Sequence, residues 1–308
     1  MPPSDGDARS PHLSALQLSR SRGAHMPVPA NCAVTGGTGF VGARLVEMLI
    51  ERGAKRVRCL DVVPPPPTAW RDPRIEYMVG DICNPDDLKR LVDGADCVWH
   101  NAAAVGPFHP RDLYFKVNYE GTLNVIEACK AAGVPKIVMS SSPSTRFDGS
   151  DVDGLTEAQM PPLPQKRYLQ TYAETKAMGE LALTSACCDT LLTCSVAPHQ
   201  VYGPRDNLFL PNLLEAAGTG RLRIFGNGRN RICFTHVDNC MRPRHNPGAP
   251  HPPRRAGWMA LAPCMHAGSE RQAPEAWLMR ASFPSAAIGS RLTCPPAVAS
   301  SAGQTPTA

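Results

Sequence analysis

Thr35-Gly36-Gly37-Thr38-Gly39-Phe40-Val41-Gly42 decides the fold of this chain. A short apolar run, Cys32 to Thr35, leads into it, and an amphipathic stretch, Phe40 to Arg52, leaves it. Strand, glycine turn and helix form the setting in which such glycines acquire a purpose. Gly36 serves the tight turn, Gly39 a close backbone approach and Gly42 close helix–strand packing, so that a pyrophosphate can rest on the helix N-terminus.

The same alternation of apolar runs and amphipathic stretches continues downstream. Strands are predicted at Cys32 to Thr35, Val57 to Asp61, Ile75 to Val79, Cys97 to His100, Lys136 to Ser140 and Leu191 to Val196. Helices are predicted at Phe40 to Arg52, Pro85 to Val92, Leu113 to Ala132, Leu169 to Ser185 and around Leu208 to Ala217. Repeated strand–helix units imply an α/β fold, a Rossmann-like doubly wound parallel sheet. Pro64 to Pro67 fit neither element and mark an exposed loop. Leu222 to Phe225 and Arg231 to Phe234 flank a Gly226-Asn227-Gly228 turn and suggest a hairpin.

Four segments result: a disordered leader over 1–30, a dinucleotide-binding domain over 31–197, a small and incomplete C-terminal substrate lobe over 198–240, and a Pro/Arg-rich tail over 241–308 read as mostly disordered. The formal charge of +5 lies in that tail, which has seven arginines and no lysine against two glutamates. The near-neutral remainder argues against nucleic acid as partner. Twelve cysteines without a C-x-x-C pair read as reduced thiols in a cytosolic compartment, and their spacing predicts no metal site. No apolar stretch reaches the length of a membrane span.

Asp61, nineteen residues after Gly42, ends the second strand, where a carboxylate can accept both hydroxyls of an adenosine ribose. It would repel a 2′-phosphate, so NAD is expected over NADP, with Arg44 and Arg58 keeping NADP as the minority reading. Asp81 and Ile82 follow the third strand and Asn101, Ala102 and Ala103 the fourth, at the carboxyl ends where ligands collect. Tyr172-Ala-Glu-Thr-Lys176 sets a phenol and an ammonium one helical turn apart. A free tyrosine titrates near about 10; the Lys176 charge and an oxidised nicotinamide ring would bring it towards working pH as an acid/base. Ser142, with Ser144 as its rival, ends the fifth strand and can hold a substrate oxygen against the phenol. Asn118 can steady Lys176 through water, or else faces solvent.

Together TGGTGFVG, Asp61, GDI, NAAA, VNYEGT, SSS and YAETK resemble the extended short-chain dehydrogenase/reductase family, over roughly Asn31 to Asn239. Ala197-Pro198-His199-Gln200-Val201-Tyr202-Gly203-Pro204-Arg205-Asp206 is similar to a segment of its 3β-hydroxysteroid dehydrogenase group, particularly the decarboxylating sterol-4α-carboxylate 3-dehydrogenases. The resemblance implies Tyr172 as catalytic acid/base, Lys176 as the group that lowers its pKa and binds the nicotinamide ribose, and Ser142 as substrate orienter. It places Asn118 with them, and Phe40, Val41, Pro198 and Val201 beside the cofactor. It further implies NAD-dependent oxidation of a 3β-hydroxyl on a sterol-like substrate, a second copy of the chain as partner, and a cytoplasmic place, at the periphery of the endoplasmic reticulum membrane as an extension. Ala197 departs from the group's usual arginine, and after Asn239 the tail replaces the helix with which the family continues. A nucleotide-binding protein without catalysis and a UDP-sugar epimerase, whose group usually carries asparagine where this chain has Gln200, remain the alternative readings.

Overall fold

A computed structural model describes residues 28–106, 109–150, 155, 159–224, 227, 232–240 and 258–261. Residues 1–27 of the leader and most of the tail lie outside these residues. The strands β1 (Asn31–Thr35), β2 (Arg56–Asp61), β3 (Ile75–Val79), β4 (Cys97–His100), β5 (Lys136–Ser140), β6 (Leu192–Ala197) and β9 (Trp258–Leu261) form one sheet in the order β3-β2-β1-β4-β5-β6-β9, with every pairing parallel. The sheet runs outward in both directions from β1 and β4, the doubly wound arrangement expected. β9 falls within the tail, where the sequence shows no periodic element.

Parallel strands covered on both faces read as continuous apolar runs, and β1 and β4 are buried through nearly their whole length. One face carries α1 (Phe40–Glu51), whose Leu45, Val46, Leu49 and Ile50 pack on Cys32, Val34, Val57 and Trp99. The other carries α2 (Pro85–Val92), α4 (Gly121–Ala132) and α5 (Thr171–Ser185), with Leu88, Leu91, Val125, Ile126 and Leu183 over Ala33, Leu60, Val98 and Ile137. Helix α2 starts with Asn84 accepting from the Asp86 N–H and Pro85 in its first turn, the residues a helix start favours. Helix α4 is preceded by the short α3 (Arg111–Tyr114) and a widened π turn, Phe115–Glu120. Such a turn shifts the residues inside it out of the regular helical face.

The smaller unit consists of β7 (Val201–Tyr202), α6 (Leu210–Gly218) and β8 (Thr235–His236). The predicted hairpin is not formed by its described residues: 222–224 and 232–234 have no strand, and β8 instead pairs parallel with β7. Its Gly226 and Gly228 lie outside the described residues. Arg205 donates to both carboxylate oxygens of Glu47 on α1, at 2.6 and 2.8 Å, and Arg44 pairs with Asp238 at 2.6 Å. These ion pairs tie the smaller unit to α1.

A buried hydrogen-bond chain sets the position of the remaining helices. His100, 1% exposed at the end of β4, lies between Thr35 Oγ1 at 2.8 Å and Thr122 Oγ1 at 3.0 Å. The Thr122 hydroxyl donates to the Asn118 carbonyl, and Thr35 Oγ1 accepts from the Asn101 and Ala102 N–H groups. Those fixed roles make Nδ1 the acceptor and Nε2–H the donor of a neutral imidazole. Burial, helped by the Lys176 charge, pushes His100 down to about 3.

Two predictions follow from this packing. A methyl at Gly179, inside α5, would stand 2.6 Å from the Asn118 carbonyl and 3.1 Å from Thr122 Oγ1. Helix propensity alone gives Gly179→Ala about 1 kcal/mol of added stability; overpacking reverses the sign, and urea unfolding should show a loss of about 1–3 kcal/mol. His100 has the opposite balance from an ordinary histidine: the unfolded chain takes up a proton below pH about 6.5 that the native state refuses until near 3. Its contribution is therefore whole above that range and shrinks as pH falls. Between pH 7 and pH 5 the stability advantage of wild type over His100→Gln should narrow by about 2 kcal/mol, whereas a constant gap would contradict the neutral assignment.

Candidate active site

The turn after β1 is shaped as the glycine spacing predicts. Gly36 has φ +69°, and a methyl there would come within 2.9 Å of the Ala102 backbone; one at Gly42 would overlap the Gly36 carbonyl oxygen. Gly39 differs: its nearest atom to an added methyl is Gly36 O at 3.5 Å, an ordinary contact, so the fold itself does not demand glycine. It precedes α1, whose first turn receives no side-chain cap and contains no acidic residue. Uncapped N–H groups beside a bare Cα are the donor set a phosphate takes. The loop thus fits a dinucleotide.

Asp61 ends β2 and accepts from the Thr38 N–H at 3.0 Å and the Val63 N–H at 3.3 Å, which fixes its carboxylate beside the glycine loop. The two arginines held in reserve for a 2′-phosphate are both engaged. Arg58 is buried and donates to the carbonyls of Arg90, Leu91 and Asp93 at the end of α2, and Arg44 is held by Glu47, Glu51 and Asp238.

Asn101, Ala102 and Ala103 leave β4 next to Gly36, their start pinned by Thr35. Asp81 accepts from the Cys83 N–H at 2.9 Å, and Ile82 packs in the core against Gly121. Ile82 therefore brings its backbone, not its side chain, to the expected cofactor edge. Val41 and Val201 likewise pack against the α1 core, while Phe40 opens α1 and Pro198 follows β6, both half-buried.

Around α5 the acid/base candidates converge. Tyr172 is half-buried, close enough to Ser142 for that hydroxyl to act on its phenol, and edge-on to the Tyr114 ring with centroids 6.3 Å apart. Burial pushes its phenol up, and the Ser142 hydroxyl acts against that shift. Ser142 and Ser144 are partners rather than rivals, their hydroxyls 2.8 Å apart. Lys176 is 3% exposed, and its Nζ donates to the Ser140 carbonyl at 2.6 Å. Burial draws this ammonium down to about 8, against an opposing pull from Glu180. Burial, Ser142 and Tyr114 are the causes of the phenol's shift, while the Lys176 ammonium is turned to the Ser140 carbonyl. A shared helix face brings the two residues side by side, and the Ser140 carbonyl then claims the flexible ammonium.

Asn118 does not face solvent. It is 1% exposed within the π turn, accepts from the Ala104 N–H at 2.8 Å and donates to the Ala104 carbonyl at 3.2 Å and to Thr175 Oγ1 at 3.3 Å. It joins the loop after β4 to the helix of Tyr172 and Lys176. Two buried groups escaped the sequence reading, His100 and Glu180; the apolar run Cys97 to His100 signalled burial of the first, and the Tyr172, Lys176, Glu180 spacing of four signalled a shared face for the second.

The ten cysteines among the described residues are free thiols, five of them buried and Cys188 exposed. Among the described residues no group of His, Cys, Asp and Glu could hold a metal ion, and no helix is long and apolar enough to cross a membrane.

Comparison with known proteins identifies the family and its relatives. The bovine (Bos taurus) sterol-4-alpha-carboxylate 3-dehydrogenase, decarboxylating, is 38% identical over 219 residues, covering 70% of this chain and 59% of that protein. The human (Homo sapiens) protein of the same name is 37% identical over 212 residues, covering 68% and 54%. The chain thus spans little more than half the length of these relatives. Among solved structures, MoeE5 in complex with UDP-glucuronic acid and NAD superposes with a TM-score of 0.60 at 26% identity, covering 75% of this chain and 76% of that one. The model of the 3-beta hydroxysteroid dehydrogenase/isomerase family matches residues 33–242, and the chain belongs to that family.

Proposed function

We propose that the protein oxidises the 3β-hydroxyl of a sterol-like substrate with NAD, Tyr172 exchanging the hydroxyl proton, and that a 4α-carboxylate, where present, is then lost as carbon dioxide. The observation that carries this reading is the meeting of Tyr172, Ser142 and Lys176 at the carboxyl edge of a sheet whose glycine loop fits a dinucleotide. NAD is favoured over NADP because Asp61 is fixed beside the glycine loop, where it would accept the ribose hydroxyls, while Arg44 and Arg58 are bound elsewhere.

The bound dinucleotide would supply the hydride acceptor. Ser142 would hold the substrate oxygen beside Tyr172, which in its phenolate form takes the hydroxyl proton as the C3–H bond gives up its hydride. The product of a 4α-carboxylated substrate is a β-keto acid, whose carbon dioxide leaves without further protein groups. The names of the bovine and human relatives support the sterol and the decarboxylation. The domain division follows the same logic, with 31–197 holding the cofactor and 198–240 contributing part of the substrate lobe.

Purified chain mixed with NAD and a 4α-carboxysterol should form NADH, and Tyr172→Phe should lower turnover by about 10²–10⁴-fold while retaining thermal stabilisation by NAD. Because burial raises the phenol's pKa, the oxidation rate should climb as pH rises above 7. NAD stabilisation without turnover would instead establish a nucleotide-binding protein. The glycines separate folding from binding: Gly36→Ala should destabilise the protein itself by about 1–3 kcal/mol, whereas Gly39→Ala should keep the melting temperature without ligand and lose the shift that NAD produces.

A further inference from the structure

Glu180 has no part in the proposed reaction, yet it occupies the third position on the Tyr172–Lys176 face, four residues beyond the lysine. It is 3% exposed. One carboxylate oxygen accepts from the Ser141 hydroxyl at 2.5 Å and the other from the Arg146 guanidinium at 2.7 Å. Arg146 also donates to Thr145 Oγ1 at 3.0 Å, and the Thr145 hydroxyl donates to the Ser142 carbonyl at 2.8 Å. Among the described residues, both side-chain hydrogen bonds of Glu180 therefore fall on the segment Ser140–Arg146. That same segment offers its Ser140 carbonyl to Lys176 and its Ser142 hydroxyl to Tyr172.

A buried carboxylate is costly unless paired, and a hydrophobic pair of like volume commonly gives equal or greater stability. What an ion pair adds over an apolar one is direction. We infer that Glu180, locked by Arg146, is a positioning residue that fastens the serine segment to α5 and so sets the Ser142 hydroxyl on Tyr172 and the Ser140 carbonyl on Lys176. The inference rests on the reading of Tyr172, Ser142 and Lys176 as the acid/base set and adds the residue that aligns them. Glu180 also carries the negative charge that faces Lys176; the other titratable groups near that ammonium are the neutral His100 on β4 and Tyr172 on its own helix.

The test uses the full chain and three variants: Glu180→Gln, Glu180→Asp, and Glu180→Gln combined with Arg146→Met, which leaves no orphaned guanidinium. Turnover with NAD and a 4α-carboxysterol is measured beside the Lys176 titration, followed by NMR on protein labelled with 15N-lysine. Glu180→Gln should lower kcat by on the order of 10–100-fold, with the loss in kcat rather than KM, and Lys176 should titrate at lower pH than in wild type. Glu180→Asp should recover part of both, and the double variant should recover thermal stability without recovering kcat. A merely structural ion pair predicts that kcat returns with stability in the double variant, and that result would overturn the inference; an unchanged Lys176 titration would overturn it as well, because Glu180 would then not face the ammonium. If wild type turns over no sterol, the proposed function fails by itself, and the Lys176 titration still decides whether Glu180 faces that ammonium.

Discussion

The neutral His100 imidazole, held between Thr35 and Thr122, is the contact on which the rest of the arrangement depends. Thr35 ends the strand that feeds the glycine loop and fixes the start of the loop after β4. Thr122 anchors the π turn through the Asn118 carbonyl, and the Asn118 side chain then spans from Ala104 to Thr175 on α5. One continuous line of buried hydrogen bonds thus joins the cradle for a phosphate to the helix of the candidate acid/base. In a low-dielectric interior such a chain is rigid when every member is satisfied and expensive when one is not, which is why a neutral ring with one donor and one acceptor suits its centre.

Helix α5 occupies the other end of that line, and its composition answers several demands at once. Gly179 lets the π turn approach, Thr175 receives Asn118, Lys176 reaches the Ser140 carbonyl and Glu180 takes Ser141 and Arg146. Four of the five positions from Ala173 to Ala177 are buried, all but Glu174, which shows a helix embedded on more than one side. A lysine in that position loses solvation, and its pKa falls to about 8 despite the carboxylate beside it.

Much of the fold was legible because parallel strands buried on both faces leave uninterrupted apolar runs. Ile75–Val79, Cys97–His100 and Lys136–Ser140 are strands at the expected bounds, and the glycine loop joins β1 to α1 as its spacing requires. The hairpin was misread for a physical reason: Gly226-Asn227-Gly228 is a local turn signal, whereas β8 finds its partner in β7, thirty-four residues earlier. In the site, Tyr172, Ser142 and Lys176 were legible by type and spacing. Asn118, His100 and Glu180 were harder, since periodicity reports that a side chain is buried and is silent on which atom it meets. The π turn compounds this by rotating Asn118 off the face that regular helical counting assigns to it.

The central claim is that these residues pass a hydride from a sterol carbon to NAD. A sterol 4α-carboxylate bearing deuterium at C3 tests it most directly, with the nicotinamide examined by mass spectrometry after incubation with the purified chain. The account predicts deuterium on the nicotinamide ring in step with loss of the C3 label, and none with Tyr172→Phe. Binding of NAD with the label retained on the sterol would contradict it.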